Sequence, residues 1–415
     1  MADFITDRNN EKKLLRVFTL NCWSIPYFSE NRKSRIAAIA EYLSTSNLDI
    51  VCLQEVWSKK DYLFISKKCY TQLPYSHYFN SFIYGSGLCI LSKYPITDVY
   101  FHQWAINGYP HKILQGDWFA GKGLAFSKIV MNDFIIHIYN AHLHAEYNAN
   151  SVDYLSHRVL QALDTSQFIK FTTEDCDLAI LAGDLNTEPN ELPMKILNQN
   201  AQLADCFYTA QEKCSSAFGT NESERNSYSP KAKVKNHPEG KRIDYVLYRN
   251  SKRLNVDVTQ YNFPLPEYVP GCRHSYSDHE AIEVVFQCVV DSGSKAKTPE
   301  IDAFELQTTL ETSIEICNEA LNKLQVTRKT YFSFSVIFAL LLTVSLFAEL
   351  FFHIPLDFGV AHVTFIILFN LVKVSLTLGF IFFTVMNYLW SKSEKSAILT
   401  GKFSLMTILK RLKKL

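Results

Sequence analysis

The stretch HSYSDHEAI, residues 274–282, sets an acid beside an imidazole, Asp278 and His279, just ahead of a run of strand-forming residues. Neighbours on a regular strand point to opposite faces, so both side chains serve one pocket only from a bent segment at a strand's edge. Alone, the pair reads as a surface loop, and its meaning depends on partners elsewhere. Those partners stand at or near the ends of other apolar runs: Asn21 in TLNCW, Glu55 in CLQEVW, His142 in NAHLHAEY, Asp184 and Asn186 in AGDLN, and Asp244 in RIDYVL. Strand ends along one rim of a sheet sandwich converge on a single pocket. Carboxylates, amides and imidazoles together suit hydrolysis of a phosphate ester with a hard divalent cation. Each residue also has a plainer reading. Asn21 caps a turn, Glu55 is a surface acid, Asp184-Leu185-Asn186 is a turn and His142 is a core histidine. Asp244, inside a β-branched and aromatic run, needs a partner if it is buried.

The elements that must position these residues follow from periodicity and punctuation. LLRVFTLNCW, DIVCLQEVW, SGLCILSKY, LAFSKIVM, FIIHIYNAHL, DLAILAGDLN, RIDYVLYR and HEAIEVVFQCVV read as strands. SRIAAIAEYLSTS and VDYLSHRVLQALDTSQFIKFT carry apolar positions at helical spacing. Many strands with few long helices predict an α/β (α+β) fold of two packed sheets with helices outside, over residues 1–290. The polar segment 209–240 reads as a long, mobile surface loop.

Residues 291–301 read as a linker, and 302–330 as an amphipathic helix with Leu306, Leu310, Ile314, Cys317, Leu321 and Leu324 on one face. Residues 331–390 contain two apolar stretches long enough to span a bilayer, which predicts a transmembrane hairpin. Lys323, Arg328 and Lys329 precede it and Lys392, Lys395 and Lys402 follow it, while the segment between the spans has no Lys or Arg. The positive-inside rule then places the large domain and the tail, 391–415, in the cytosol, on an endomembrane or the plasma membrane. In the tail, Phe403, Met406, Leu409 and Leu412 alternate with Lys410, Arg411, Lys413 and Lys414, a pattern suited to anionic lipid. The formal net charge of +1 gives no electrostatic footprint for nucleic acid. Ten scattered cysteines without CxxC spacing read as buried thiols of a reducing compartment, Cys206 and Cys214 included. The opening MADFITDRNNEKKLLRVF carries no apolar run of signal-peptide length. The oligomeric state stays open, a homodimer included.

Taken in order, LNCW, LQEVW, HLHAE, GDLN, RIDYVL and SDHEAI resemble the endonuclease/exonuclease/phosphatase superfamily, the DNase I-like fold, across nearly all of the first 290 residues. LNCWSIPY, GSGLCILSK, NGYPHKILQGDWFAGKG, AHLHAEY and RIDYVLY look like the neutral sphingomyelinases that carry a C-terminal pair of transmembrane helices. The resemblance implies a four-layer sandwich of two mixed sheets and a Mg²⁺-dependent phosphodiesterase, with Mn²⁺ able to substitute. The implied reaction releases ceramide and phosphocholine from sphingomyelin. It implies Glu55 on the metal with Asn21 beside it, and Asp184 and Asn186 positioning water and a phosphoryl oxygen. Asp244 would orient His279 as the general base or acid, Asp278 would support the metal site and His142 would donate to the phosphoryl oxygen. In the chain's own loops, Trp23, Tyr27, Tyr109, Trp118 and Phe119 stand near the expected rim, where aromatics enter a headgroup region and hold a quaternary ammonium, or serve as loop anchors. Asp117 and Lys122, similar to an Asp–Lys pair in related sphingomyelinases, would form a switch at the same loop. Two rival functions remain: a phospholipase C acting on lysolipids, and a membrane-tethered nuclease or inactive lipid-binding relative.

Overall fold

The computed structural model describes residues 12–148, 152–214, 219–251, 253–290, 302–351 and 359–414. The expected linker at 291–301 and the turn between the two apolar stretches lie outside the described residues. The chain divides into two compact units, Met1–Leu310 and Glu311–Leu415.

In chain order the strands of the first unit are β1 Lys13–Asn21, β2 Ile50–Gln54, β3 Tyr75–Tyr78, β4 Cys89–Ser92, β5 Ile96–Gln103, β6 Gly123–Met131 and β7 Phe134–His142. They continue as β8 Leu178–Asp184, β9 Ala204–Asp205, β10 Glu212–Lys213, β11 Asp244–Asn250, β12 Leu254–Asn262 and β13 Ile282–Val290. One mixed sheet runs β10-β12-β13-β1-β2-β4-β3 and the other β5-β6-β7-β8-β11-β9. Helices α1 Arg32–Thr45 and α2 Lys59–Cys69 pack on the first sheet, and α3 Leu155–Thr172 on the second, where Thr172 hydrogen-bonds Tyr139 of β7; the shorter α4 Leu192–Ala201, α5 Cys206–Thr209 and α6 Lys231–Asn236 follow along the chain. The four-layer sandwich expected from the sequence is present. Strands β3, β5, β9, β10 and β12 were not anticipated, because edge and near-edge strands are short or carry polar residues that dilute the apolar signal.

Period-two alternation decides which side chains enter the sandwich. On β1, Leu15 and Val17 join the core between the sheets, while Phe18 and Leu20 join the core under α1 and α2. Asn21 shares the parity of Leu15 and Val17, so it is the last inward residue of its strand. The same count makes His142 the last inward residue of β7, after Ile136 and Ile138. Asp184 ends β8 after Ile180 and Ala182, and Asp244 opens the antiparallel β11 before Val246. Four strands thus present their polar termini at one mouth between the sheets.

Gly183 sits one residue before Asp184 with φ 139°, and a Cβ there would lie 2.1 Å from the Ala141 carbonyl oxygen. Gly183→Ala is expected to cost about 3 kcal/mol, through strain on the β7–β8 ladder that carries His142 and Asp184. An unchanged melting temperature of the full chain would refute that cost.

The second unit is built from most of α7 Ala303–Phe351, then α8 Gly359–Val385, a π-helical turn Met386–Trp390 and α9 Ser391–Leu412. Two of these helices are long and apolar enough to cross a membrane, and their apolar side chains, such as Leu340, Val344, Ile367 and Leu378, face outward. This is a membrane protein. The helices form an antiparallel hairpin: Phe334 stacks on Phe383 at 4.9 Å, and Arg328 Nε donates to Asn387 Oδ1 at 3.3 Å. The pairing continues beyond the apolar segments, where Lys413 bridges to Glu311 at 3.0 Å. Along α9 the buried apolar residues are Ile398, Leu405 and Ile408, while Phe403 and Met406 stay exposed. The tail therefore carries two apolar stripes, one packed within the unit and one bare, where the sequence reading saw a single lipid-facing one. The Glu349 side chain lies outside the described residues, and Lys373 places its ammonium 4.7 Å from the Phe369 ring.

Candidate active site

Glu55 breaks the parity rule that places the others. Gln54, like Cys52, faces the sandwich, so continued strand geometry would turn Glu55 toward the helices. Its backbone instead adopts φ 55°, the left-handed region that a glutamate rarely occupies, and this swings the side chain back to the mouth. There Glu55 Oε1 accepts from Asn21 Nδ2 at 3.1 Å, and the same amide donates to Asp184 Oδ2 at 2.9 Å. Asn21 Oδ1 is occupied by the Trp23 N–H at 2.9 Å, which fixes the amide with its NH₂ between the two carboxylates. Asn186, also left-handed at φ 44°, gives its N–H to Asp184 Oδ1 at 2.9 Å and its amide to the Leu143 carbonyl at 3.1 Å.

On the other side of Asp184 stands His279. Its Nδ1 lies 2.8 Å from Asp244 Oδ2, and its Nε2 lies 3.9 Å from Asp184 Oδ2. Asp278 and His279 lie in a bend ahead of β13, off regular strand geometry. The Ser277 hydroxyl donates to the Asn21 carbonyl at 2.6 Å, which ties this bend to the end of β1. His142 Nε2 is 3.4 Å from Asp184 Oδ2 and 3.1 Å from Lys122 Nζ. Lys122, fully buried, is paired with Asp117 at 2.6 Å, and Asp117 Oδ2 takes the Ala145 N–H at 2.9 Å. The expected Asp117–Lys122 pair is thus present in its tied arrangement.

Burial pushes up the carboxyls of Glu55, Asp184 and Asp278; Asp278 adds to the effect at Glu55, and Asp244 adds at Asp184, which reaches about 7. Burial opposes charge on His279, yet Asp244, Asp278 and Asp184 outweigh it and hold the imidazole protonated well above its usual range. Burial, then Lys122, keeps His142 neutral. Burial would raise the Asp117 carboxyl, but Lys122 and the nearby histidines hold it well below the usual range. Carboxylates crowded at one mouth are the kind of donor set that could hold a hard divalent cation. Their hard oxygens suit Mg²⁺ or Mn²⁺. Ligand atoms of Asp184, Asp244 and His279 also lie within 4.8 Å of one another.

Several positioning residues escaped the sequence reading. The segment 219–226, expected to be a mobile surface loop, is largely buried: the Thr220 hydroxyl accepts from the Ile243 and Asp244 N–H groups at 3.0 Å, and Asn221 donates to the Asp278 carbonyl at 3.1 Å. Below the mouth, Gln54 donates to Thr19 and Asn140, an inward polar layer between the site and the core. Trp57 directs its indole N–H at Glu55 Oε2 at 3.4 Å, and an aromatic chain runs from it through Tyr84 and Phe119 to Trp118. Tyr109 lies in a different cluster, against Tyr154 and His157.

Arg35 is fully buried on α1. It donates to the carbonyls of Glu30, Cys22, Trp23 and Tyr276 and lies 4.8 Å from the Trp23 ring centre. One guanidinium thus joins the segment after Asn21 to the segment before Asp278. Lysine has the charge but not the five-donor fork. Arg35→Lys is expected to destabilise the chain by about 2–4 kcal/mol by stranding buried carbonyls. Wild-type thermal unfolding in this variant would show that the fork is dispensable.

Residues 18–279 match the model of the Endonuclease/Exonuclease/phosphatase family. The putative neutral sphingomyelinase of Drosophila melanogaster is 45% identical to this chain, over 65% of this chain and 59% of that protein. The chain therefore spans less than two thirds of that relative's length. The putative neutral sphingomyelinase of Caenorhabditis elegans is 31% identical, over 97% of this chain and 93% of that protein. Among solved structures, sphingomyelinase C from Streptomyces griseocarneus has a TM-score of 0.53 at 18% identity, covering 66% of this chain and 99% of that one, a likeness of fold. With the sandwich, the polar strand ends and the family match in agreement, the chain belongs to the endonuclease/exonuclease/phosphatase family.

Proposed function

We propose that this protein is a metal-dependent phosphodiesterase of the phospholipase C type that hydrolyses sphingomyelin to ceramide and phosphocholine. The observation that carries the reading is the juxtaposition, at one mouth, of the Glu55–Asn21–Asp184 cluster with the Asp244–His279 pair, in a chain with two membrane-spanning helices. The names of the fly and nematode relatives support the substrate. Glu55 and Asp184 hold the cation, Mg²⁺ or Mn²⁺, with Asp278 adding negative charge nearby. When bound, the cation supplies positive charge against the phosphoryl oxygens and stabilises the charge that builds there.

Asp184 and Asn186 orient the attacking water, whose oxygen forms a bond to phosphorus as the bond from phosphorus to the ceramide oxygen breaks. His279, held protonated, gives its Nε2 proton to the leaving ceramide oxygen and is restored by the proton that the attacking water loses, while Asp244, which takes the Nδ1–H, fixes the tautomer and stabilises the imidazolium. The Lys122 ammonium, taken up by Asp117, His142 and the Leu143 carbonyl, positions the His142 ring beside Asp184. Choline phosphate released from sphingomyelin vesicles, with lysophosphatidylcholine vesicles and duplex DNA as controls, tests the reading. Faster release from the lysolipid would favour the lysophospholipase alternative, and cleavage of DNA alone would overturn both.

The catalytic unit and α9 face the cytosol in this proposal, because Lys and Arg flank the hairpin on its outer sides. A glycosylation acceptor at 356–358 is expected to be modified in microsomes, and one appended after Leu415 to stay bare. The reverse pattern would place the enzyme on the other side.

A further inference from the structure

The β2–β4, β5–β6 and β6–β7 registers place the loops 22–31, 79–88 and 104–122 at the end of the sandwich that carries Asn21, Glu55 and His142. Each loop turns on a pair of large apolar residues. The Ile25 carbonyl accepts from the Phe28 and Ser29 N–H groups, so Tyr27 and Phe28 crown a tight turn, and Tyr27 has φ 69°. Phe82, with φ 39°, and Ile83 form the bend of the second loop. Ile113 and Leu114 are the central residues of a turn closed by the Gln115 N–H on the Lys112 carbonyl at 2.9 Å. Such positions ordinarily hold Gly, Asn, Asp, Ser or Pro. Here Tyr27 and Leu114 are almost wholly exposed, and Phe28, Phe82, Ile83 and Ile113 are more than half exposed.

The loops are knitted together. The Gly121 N–H donates to the Gly85 carbonyl at 3.0 Å, and Tyr84 packs edge-on to Phe119. Tyr27 and Tyr84 line one cleft of about 1120 Å³ whose rim carries the exposed Lys33, Lys59 and Lys60. At the other end of the sandwich, exposed Leu14, Tyr75 and Phe171 come singly from separate elements. Single exposed apolar residues are ordinary, whereas six at three adjoining turns around one mouth are not.

We propose that the three tips, Tyr27–Phe28, Phe82–Ile83 and Ile113–Leu114, enter the lipid interface and seat the catalytic mouth on the bilayer. The chain's own membrane-spanning helices keep such a surface within reach. Apolar tips beside a cleft rimmed by lysines match an interface of acyl chains beneath phosphates, and an aromatic tip settles well at that boundary. The proposal rests on the lipid-substrate reading above and assigns the residues that give the mouth access to lipid.

The test is site-specific photo-cross-linking in the full chain, reconstituted in phosphatidylcholine vesicles containing sphingomyelin. p-Benzoylphenylalanine replaces Phe28, Ile83, Leu114 or, as control, Phe171. Lipid adducts are expected at the first three positions and not at the fourth. Equal labelling at Phe171, or cross-linked dimers of the chain in place of lipid adducts, would overturn the proposal. In parallel, the combined variant Phe28→Ser, Ile83→Ser, Leu114→Ser is expected to lose about tenfold or more in turnover of bilayer sphingomyelin. It should keep wild-type turnover of a water-soluble phosphocholine diester. An unchanged ratio between the two substrates also counts against the tips. Wild-type protein that forms the adducts but releases no choline phosphate refutes the substrate assignment and leaves the docking face standing.

Discussion

Replacing His279 by alanine is expected to lower kcat by about 10²–10⁴-fold, the usual contribution of one positioned acid–base group. KM should move far less, because the imidazole lies 3.9 Å from Asp184 at the reacting centre and not along the lipid path. Asp244→Ala should lose nearly as much, since the carboxylate acts through the 2.8 Å contact to His279 Nδ1. The double variant is then expected to be little worse than the poorer single one, as for groups that work as a unit. Losses that multiply would give Asp244 a task of its own, such as metal ligation beside Asp184. Both effects are to be read on soluble and bilayer substrate alike.

Glu55→Gln is expected to abolish saturable Mg²⁺ binding in calorimetry and to remove most turnover with it. A thermal measurement separates this from simple damage. The Asp184 carboxyl stands near 7 in the folded chain against 3.8 ordinarily, and His279 is also raised. A group raised on folding contributes stability that is complete below its unfolded value and disappears as pH climbs through its folded value. In EDTA the protein should therefore lose stability as pH rises from about 4 through about 7 and beyond, and Mg²⁺ should restore it. Glu55→Gln removes one of the crowded charges. It should melt higher than wild type in EDTA at pH 8, yet gain nothing from Mg²⁺. A variant that keeps the full Mg²⁺-dependent shift would remove Glu55 from the metal site.

Much of this site was legible because strand periodicity and polar strand ends are local facts. Asn21, His142, Asp184 and Asp244 each close or open an apolar run with inward parity, so the sequence alone could group them. Glu55 was legible by neighbourhood only, since its parity points the wrong way and the left-handed turn that corrects it leaves no mark in residue types. Thr220, Asn221 and Arg35 were illegible for another reason. Their partners are backbone groups of segments distant in sequence, and a hydroxyl or guanidinium does not announce which carbonyl or amide it will meet. The segment around Thr220 looked like solvent-exposed loop because polar composition is the same whether the polar groups bond to water or to Asp244. Tyr109, grouped with Trp118 by sequence proximity, went to a different aromatic cluster, while Trp57, which closes LQEVW without being given a role there, faces Glu55.

The pairing of α9 with α7 carries a consequence for biogenesis. On α7, Cys317 and Leu324 are buried, and on α9 so are Ile398, Leu405 and Ile408. Ribosomes deliver the first half of α7 before the two spans, and α9 after them. Until α9 has left the exit tunnel, the stripe on α7 has nothing to zip against, even when both spans already sit in the bilayer. Nascent chains stalled before Ser391 would display that stripe to water, where chaperones and membrane-bound proteolysis sort unfinished proteins. Pairing of α9 with α7 thus starts beside the membrane, at Arg328 and Asn387, and runs outward, so the Lys413–Glu311 bridge is the last to close.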